Sequence, residues 1–456
     1  MTTLVLEGCA IATVDDAGTE HDSGHIVVQD NRIATVGAGP ADASATAGAE
    51  VVDARGCLAT PGLVNCHHHL YQWLTRGMAQ QADLFTWLTA LYPLWRHIDD
   101  ESVGIAARAG LAALAASGCS VTTDHHYVFP HGAGDLLEAE IEAAREIGVR
   151  FHPCRGSMDL GASSGGLPPD EVTEDRDEIL SATDAAIDRW HDPSFGSMLR
   201  IAIAPCSPFS ATKGLMRESA ELARARGVRL HTHLGETVEE DRFCLERFGV
   251  RPIGYLEDLG WLGGDVWLAH CVHLSADEVA MLGRSGTGVA HCPTSNARLG
   301  AGIAPVVPLL SAGAPVGLGV DGAASNEAGE LGPEMRQALL VARLAGGPAA
   351  LTARATLVLA TRHGARCLGR TEELGSLEPG KVADIALWRL DDPEHTGIAD
   401  PVAALVLGPS PRVDRLIVNG GTVVEGGSVV GVDEAVASQA LEKACARVVE
   451  RAGGAP

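Results

Sequence analysis

The chain has 456 residues, too many for one small domain and enough for a large barrel with a smaller companion. Apolar residues make up 46% and charged residues 20%, which supports a large core, and no run of 18 uncharged apolar residues argues for a membrane span. The net charge of -25 repels polyanions and so argues against nucleic acid or an anionic membrane as the main partner.

In chain order, residues 1–57 read as short strands with turns: TLVLEGCAIATVDD, HIVVQDNRIATVG and AEVVDARG, each alternating apolar and polar positions. Residues 41–50, rich in Ala, Ser, Gly and Thr, read as a loop. The opening stretch lacks a basic n-region and a long apolar core, so no secretory signal is expected. The 11 cysteines form no CxxC pair, which suits reduced thiols and a cytoplasmic location. From residue 58 short apolar strands alternate with helical spacing. Strands are expected near 58–66, 119–124, 149–155, 199–205, 228–234, 265–270, 287–291 and 315–320, with helices such as those at 101–118 and 215–227 between them. Eight such units predict an α/β fold, a (β/α)8 TIM-like barrel over 58–370, with its chemistry on loops at the C-terminal strand ends. Strands return in DIALWRL and VDRLIVNGGTVVEGG, and residues 434 onward have the spacing of an amphipathic helix. Segments 1–57 and 371–456 are therefore expected to form one small β-sandwich from both termini, with that helix appended.

Polar residues collect at predicted strand ends. The first strand runs into Asn65-Cys66-His67-His68-His69, the fifth into His231-Thr232-His233, the sixth ends at His270 and the eighth at Asp321. Residues two apart on a strand point the same way, so His67 and His69 converge while His68 faces elsewhere. His233 and Asp321 complete three nitrogens and one carboxylate, a set that zinc accepts with room for a water and that iron(II) also accepts. A lone HxH is weak evidence; its coincidence with a second HxH, a histidine ending strand six and an aspartate ending strand eight is specific. Glu236, three residues past His233, lies where a carboxylate can relay a proton. Elsewhere, Gly317, Gly319 and Gly322 spell GxGxxG without a helix opening there, and Gly161, Ser163 and Gly165 spell GxSxG in a loop. Neither is read as a site.

The strings NCHHHLYQ, HTHLGET, LAHCVHL, HCPTSN and GLGVDGAASN, with GSLEPGKVADIALW near the end, resemble the amidohydrolase superfamily over essentially the whole chain, specifically its aromatic-base deaminase branch. CHHHLYQWLTRG, FTWLTALYPLW, TTDHHYVFPHG, SSGGLPPD and APCSPFSAT are similar to segments of deaminases acting on 8-oxoguanine. The resemblance implies one divalent metal per subunit, Zn2+ first and Fe2+ as the alternative, on His67, His69, His233 and Asp321. It makes Glu236 the proton shuttle and His270 the residue that polarises the attacking water and stabilises developing charge. Asp321 passes a proton to the leaving ammonia, and Gln72 holds the purine. Binuclear members carry a bridging lysine at the end of strand four; here the first lysine is Lys213, well beyond that end, which favours one metal. The implied reaction is deamination of a free purine base, 8-oxoguanine to urate in the first place, with guanine, isoguanine, a pterin or an amino- or chloro-s-triazine as alternatives and a silent metal-binding scaffold as the competing class.

Arg155, at the end of strand three, and His273 are further candidates for ring contacts, as are His125 and His126 beside the alternative of loop hydrogen bonding. Only 18 aromatic residues occur, yet Tyr71, Trp73, Phe85, Trp87, Tyr92 and Trp95 fall between 71 and 95. That segment suits a lid over a flat ring or a subunit interface equally, and a homo-oligomer is expected.

Overall fold

The structure is a computed structural model and describes residues 3–454. Eight parallel strands close a barrel: β1 (Leu63–Asn65), β2 (Cys119–His126), β3 (Arg150–Ser157), β4 (Ala202–Pro205), β5 (Arg229–Leu234), β6 (Val266–His270), β7 (Gly288–His291) and β8 (Val316–Leu318). Leu318 beside Asn65 joins β8 to β1. These strands are short and buried on both faces, the pattern of a parallel sheet wrapped in helices. The helices carry their own stop and start signals. Asp100–Ala116 begins with a capping box between Asp99 and Ser102, and Lys213–Arg226 starts on the Thr212 hydroxyl and stops at Gly227, whose φ is 68°.

Both termini contribute to one nine-stranded sheet. It forks at Thr3–Ala12, which pairs through Leu4 to Glu7 with Glu50–Asp53 and through Ala10 and Ile11 with Cys57–Pro61. The fork lets Leu6, Ile11, Ile26, Ile385 and Ile417 share one buried core. Asn419 and Gly420, at φ 53° and 79°, make the tight turn between Arg415–Val418 and Gly421–Glu425, as an Asn-Gly pair favours.

The expected strand at 58–66 is two strands. Pro61 pairs with Ile385 in the terminal sheet, whereas Leu63 pairs with Cys119 in the barrel. Gly62 is the crossing point, because a Cβ there would stand 2.3 Å from Ser120 Oγ. The stretch at 41–50 holds one helical turn, Ala43–Thr46. Glu434–Arg451 is a helix, and its Ala444 and Val448 join the cluster formed by the aromatic segment. Among the described residues no helix is long and apolar enough to cross a membrane, and each of the 11 cysteines is a free thiol.

One buried ion pair ties the barrel to the sheet. Arg150, on β3, donates to both carboxylate oxygens of Asp384, at 2.7 and 3.1 Å, and to Asn419 Oδ1 at 3.0 Å. Asp384→Ala would leave the guanidinium charge buried without its counterion. Denaturant unfolding is expected to show a loss of about 3–5 kcal/mol, and a loss below about 1 kcal/mol would contradict the bracing role.

Candidate metal centre and active site

The strand ends bring the motifs together by backbone pairing. Beyond β1 and β8, His68–His69 and Asp321–Gly322 form a short parallel pair, with His68 opposite Asp321. Asn65 stitches the same place, accepting from Val320 N–H at 3.0 Å and donating to Thr122 Oγ1 at 3.0 Å. His68 turns away from the cavity and its Nδ1 donates to the Asp321 carbonyl at 2.5 Å.

Four side chains converge inward. Asp321 Oδ1 lies 3.4 Å from His67 Nε2 and 3.3 Å from His69 Nε2, and His69 Nε2 lies 3.1 Å from His233 Nε2. The hydrogens on these rings can be placed by their outer partners. His69 Nδ1 donates to the His125 carbonyl and His233 Nδ1 to the Cys206 carbonyl, both at 2.7 Å. His231 Nδ1 donates to the Trp267 carbonyl at 2.8 Å, so His231 Nε2 is an acceptor and takes the Nδ1 hydrogen of His67 at 2.8 Å. Each Nε2 therefore presents a lone pair inward, as metal ligands require. His67 Nε2 is buried and has no hydrogen-bond partner. Bonds of about 2.0–2.1 Å to a tetrahedral ion place its ligands about 3.3 Å apart, so the spacing and the donor chemistry fit a divalent cation.

Glu236, in the turn after β5, and His270, ending β6, complete the group: His270 Nε2 is 3.6 Å from Glu236 Oε2 and 3.9 Å from Asp321 Oδ2. Burial pushes the Glu236 carboxyl well above its usual range, and Asp321 nearby adds to the effect, so Glu236 favours its protonated form. Burial also holds His67 and His233 well below the ordinary histidine range, which keeps them neutral.

These residues open on a cavity roofed by Leu84, Trp87, Leu88 and Tyr92 of the helix Leu84–Trp95. Tyr71, Trp87, Tyr92 and Trp95 are buried within this single chain, so the aromatic segment covers the site. Gln72 reaches the cavity, and its Oε1 has no partner. Gly322 makes room for it, since a Cβ there would stand 1.7 Å from that oxygen.

A family model for the amidohydrolase family matches residues 58–423. The chain belongs to the amidohydrolase family. The 8-oxoguanine deaminase of Pseudomonas aeruginosa is 46% identical over 414 residues, 90% of this chain and 92% of that protein. An isoxanthopterin deaminase from an unknown prokaryotic organism is 38% identical, with 94% of each chain covered. The crystal structure of an atrazine chlorohydrolase from Arthrobacter aurescens TC1, complexed with zinc, matches with a TM-score of 0.92 at 34% identity, covering 97% of this chain and 100% of that one. This amidohydrolase is thus an enzyme, a metal-dependent aminohydrolase.

Two expected ring contacts are not brought to the cavity. Arg155 is drawn outward by Glu174, which accepts from both of its terminal nitrogens at 3.0 and 2.6 Å, and its guanidinium lies 3.6 Å over the Phe129 ring. His273 lies beyond the lining, with Nε2 donating to the Ala301 carbonyl at 2.8 Å. His126 is likewise occupied by Glu140 and the Val128 carbonyl, while His125 packs its ring on His233 at 4.7 Å. Lys213 sits at a helix start with its ammonium 4.6 Å from the Phe248 ring centre, away from the donor set. The sequence reading missed Tyr127, Cys206, Ser207 and Phe209, which line the cavity. Their signals were position, just past the ends of β2 and β4, and membership of the strings TTDHHYVFPHG and APCSPFSAT.

Metal analysis tests the donor set. His233→Ala is expected to lose most of its bound divalent metal and His273→Ala to keep it; equal contents would refute the assignment. A second test concerns Glu240, which accepts from the Gly235 and Glu236 N–H groups at 2.8 and 3.4 Å. Burial raises its carboxyl to about 8 against the pull of those N–H groups. A raised folded-state value gives stability that is complete below the unfolded pKa and is lost as pH rises towards 8, with a slope of up to about 1.4 kcal/mol per pH unit. Unfolding free energies from pH 5 to 8 should therefore fall more steeply for the natural enzyme than for Glu240→Gln, and parallel curves would exclude this contribution.

Proposed function

We propose that this aminohydrolase deaminates a free purine base, 8-oxoguanine to urate with release of ammonia. The likeness over 414 residues to the Pseudomonas aeruginosa deaminase carries the choice of ring. The residues around the cavity support the chemistry. A divalent ion bound by His67, His69, His233 and Asp321, zinc in the first place, supplies a water whose pKa falls towards about 7.

The chain's own groups do the rest. Gln72 holds the edge of the flat ring through its free amide oxygen, and the helix above excludes bulk water. Glu236, protonated in its buried position, gives its proton to the ring nitrogen beside the carbon that bears the amine, making that carbon electrophilic. His270 Nε2 and Asp321 Oδ2 face the same point, and His270 accepts one proton from the attacking water, which passes through Asp321 to the departing ammonia. The second hydrogen of that water goes to Glu236 as the carbonyl forms and replaces the proton given to the ring nitrogen. His270 then stabilises the negative oxygen that develops at the same carbon. The net negative charge of the protein suits a small neutral base rather than a polynucleotide.

The likeness to an isoxanthopterin deaminase and to a triazine hydrolase favours the same machinery on another aminated ring as the second reading. Ammonia release measured across 8-oxoguanine, guanine, isoguanine, a pterin and amino-s-triazines separates them. The highest kcat/KM is expected on 8-oxoguanine, and turnover of a triazine with none of 8-oxoguanine would overturn the choice. In Glu236→Gln, bound metal should persist while kcat falls by at least about a hundredfold. Unchanged turnover would remove Glu236 from the shuttle role.

A further inference from the structure

The string HCPTSN at the end of β7 has no role in the chemistry above. It folds into the short helix Pro293–Arg298, which follows His291 and Cys292 directly. Two consecutive residues of that turn reach two different groups of the site. Ser295 Oγ donates to Asp321 Oδ2 at 2.6 Å. Asn296 Oδ1 meets His270 Nδ1 at 3.0 Å. Ser295 and Asn296 are both buried.

The second contact decides a tautomer. An amide oxygen can only accept, so His270 must carry its hydrogen on Nδ1 and turn a lone pair on Nε2 towards Glu236 and Asp321. The opposite amide orientation would put a hydrogen on Nε2 and leave His270 unable to take a proton from water. Asn296 Nδ2 is buried without a partner, a costly arrangement that an apolar residue would avoid. The first contact has a matching effect: Ser295 holds Oδ2, while the Gly322 N–H donates at 2.8 Å to Oδ1, the oxygen that faces His67 and His69. His270 and Asp321 both stand at positive φ, 69° and 61°, an uncommon conformation for residues other than glycine.

We propose that Ser295 and Asn296 are positioning residues, Asn296 fixing His270 as the Nδ1–H tautomer with Nε2 free to act as base, and Ser295 orienting the carboxylate of Asp321. The inference rests on the reading that His270 takes part in the reaction, and His270→Asn tests that reading separately. If His270→Asn keeps full turnover, the role of His270 fails. If His270→Asn is inactive while Asn296→Leu stays within twofold of the natural enzyme, the positioning role fails alone.

With both roles correct, zinc-loaded Asn296→Leu should lose about 10–100-fold in kcat, the range seen when an outer hydrogen-bond partner is removed. Its zinc content should be unchanged and its KM little altered. Asn296→Asp, which keeps an acceptor at the same place, should recover part of the loss. Equal losses in the two variants would overturn the proposal, because packing alone would then explain them. Ser295→Ala should lower kcat with Asp321 still present, and unaltered kcat would remove Ser295 from the pair. Should Asn296→Leu fail to fold, nitrogen NMR of the natural holoenzyme with labelled histidine gives the same answer. The His270 signals, identified by their absence in His270→Asn, should show Nδ1 protonated and Nε2 bare, and the reverse pattern would overturn the proposal.

Discussion

The site depends on where the hydrogens of a few buried imidazoles point. His69 and His233 each spend their Nδ1 hydrogen on a backbone carbonyl one strand away, and His67 spends its own on His231, whose hydrogen in turn goes to the Trp267 carbonyl. Every one of these acceptors belongs to the barrel wall, so the lone pairs are turned inward by the fold itself. Burial keeps His67 and His233 neutral, which removes the competition between proton and cation that an exposed histidine would face. A closed parallel barrel is what makes this affordable, because its strand ends offer carbonyls in a ring around a single axis.

That geometry explains how far the sequence could be read. The period-two alternation of a strand places His67 and His69 on one side, and three separated strand ends carrying the four donor side chains, with His270 at a fourth, left few other arrangements. Asp384 and the strands after it were legible as β structure because they are short apolar runs separated by turn residues. The division of residues 58–66 into two strands was not, since Cys57–Pro61 and Leu63–Asn65 are equally apolar and only the absent side chain of Gly62 separates them. Arg155 shows a different limit. Its place on β3 was read correctly, but the strand-end rule cannot register a competing carboxylate, and Glu174, 19 residues on, takes the guanidinium away from the cavity. Tyr127 and Cys206 lay inside the quoted strings TTDHHYVFPHG and APCSPFSAT but had no periodicity to single them out, because an uncharged residue just beyond a strand looks the same whether it lines a cavity or a loop.

The aromatic segment is built as a packed cluster within the chain. Its rings are buried against one another within the chain: Trp95 lies edge-on to Tyr71, Trp87 and Tyr92, with ring centres 5.2 to 5.6 Å apart. Such edge-to-face contacts add to the area already buried and make a stiff cover. The C-terminal helix leans on this cover through Ala444 and Val448, so the end of the chain supports the roof of a site whose floor is formed by the barrel.

Backbone strain is concentrated where the chemistry would be. Among the described residues seven that are not glycine adopt positive φ, and His270, Cys271 and Asp321 are three of them. A residue in that region costs about 1–3 kcal/mol, so three at one rim are a substantial local penalty. Glycine would relieve it but would remove the imidazole or the carboxylate. The strain persists because other contacts over-determine it: Cys271 N–H is held by the Leu234 carbonyl, Asp321 N–H by the His67 carbonyl, and the two side chains by Asn296 and Ser295. Tight turns at β6 and β8 thus bring a histidine and an aspartate onto the axis of the barrel, where an ordinary extended strand end would have carried them past it. The rim is therefore the part of the barrel where stability has been given up for placement, and its rigidity comes from neighbouring strand ends rather than from its own backbone.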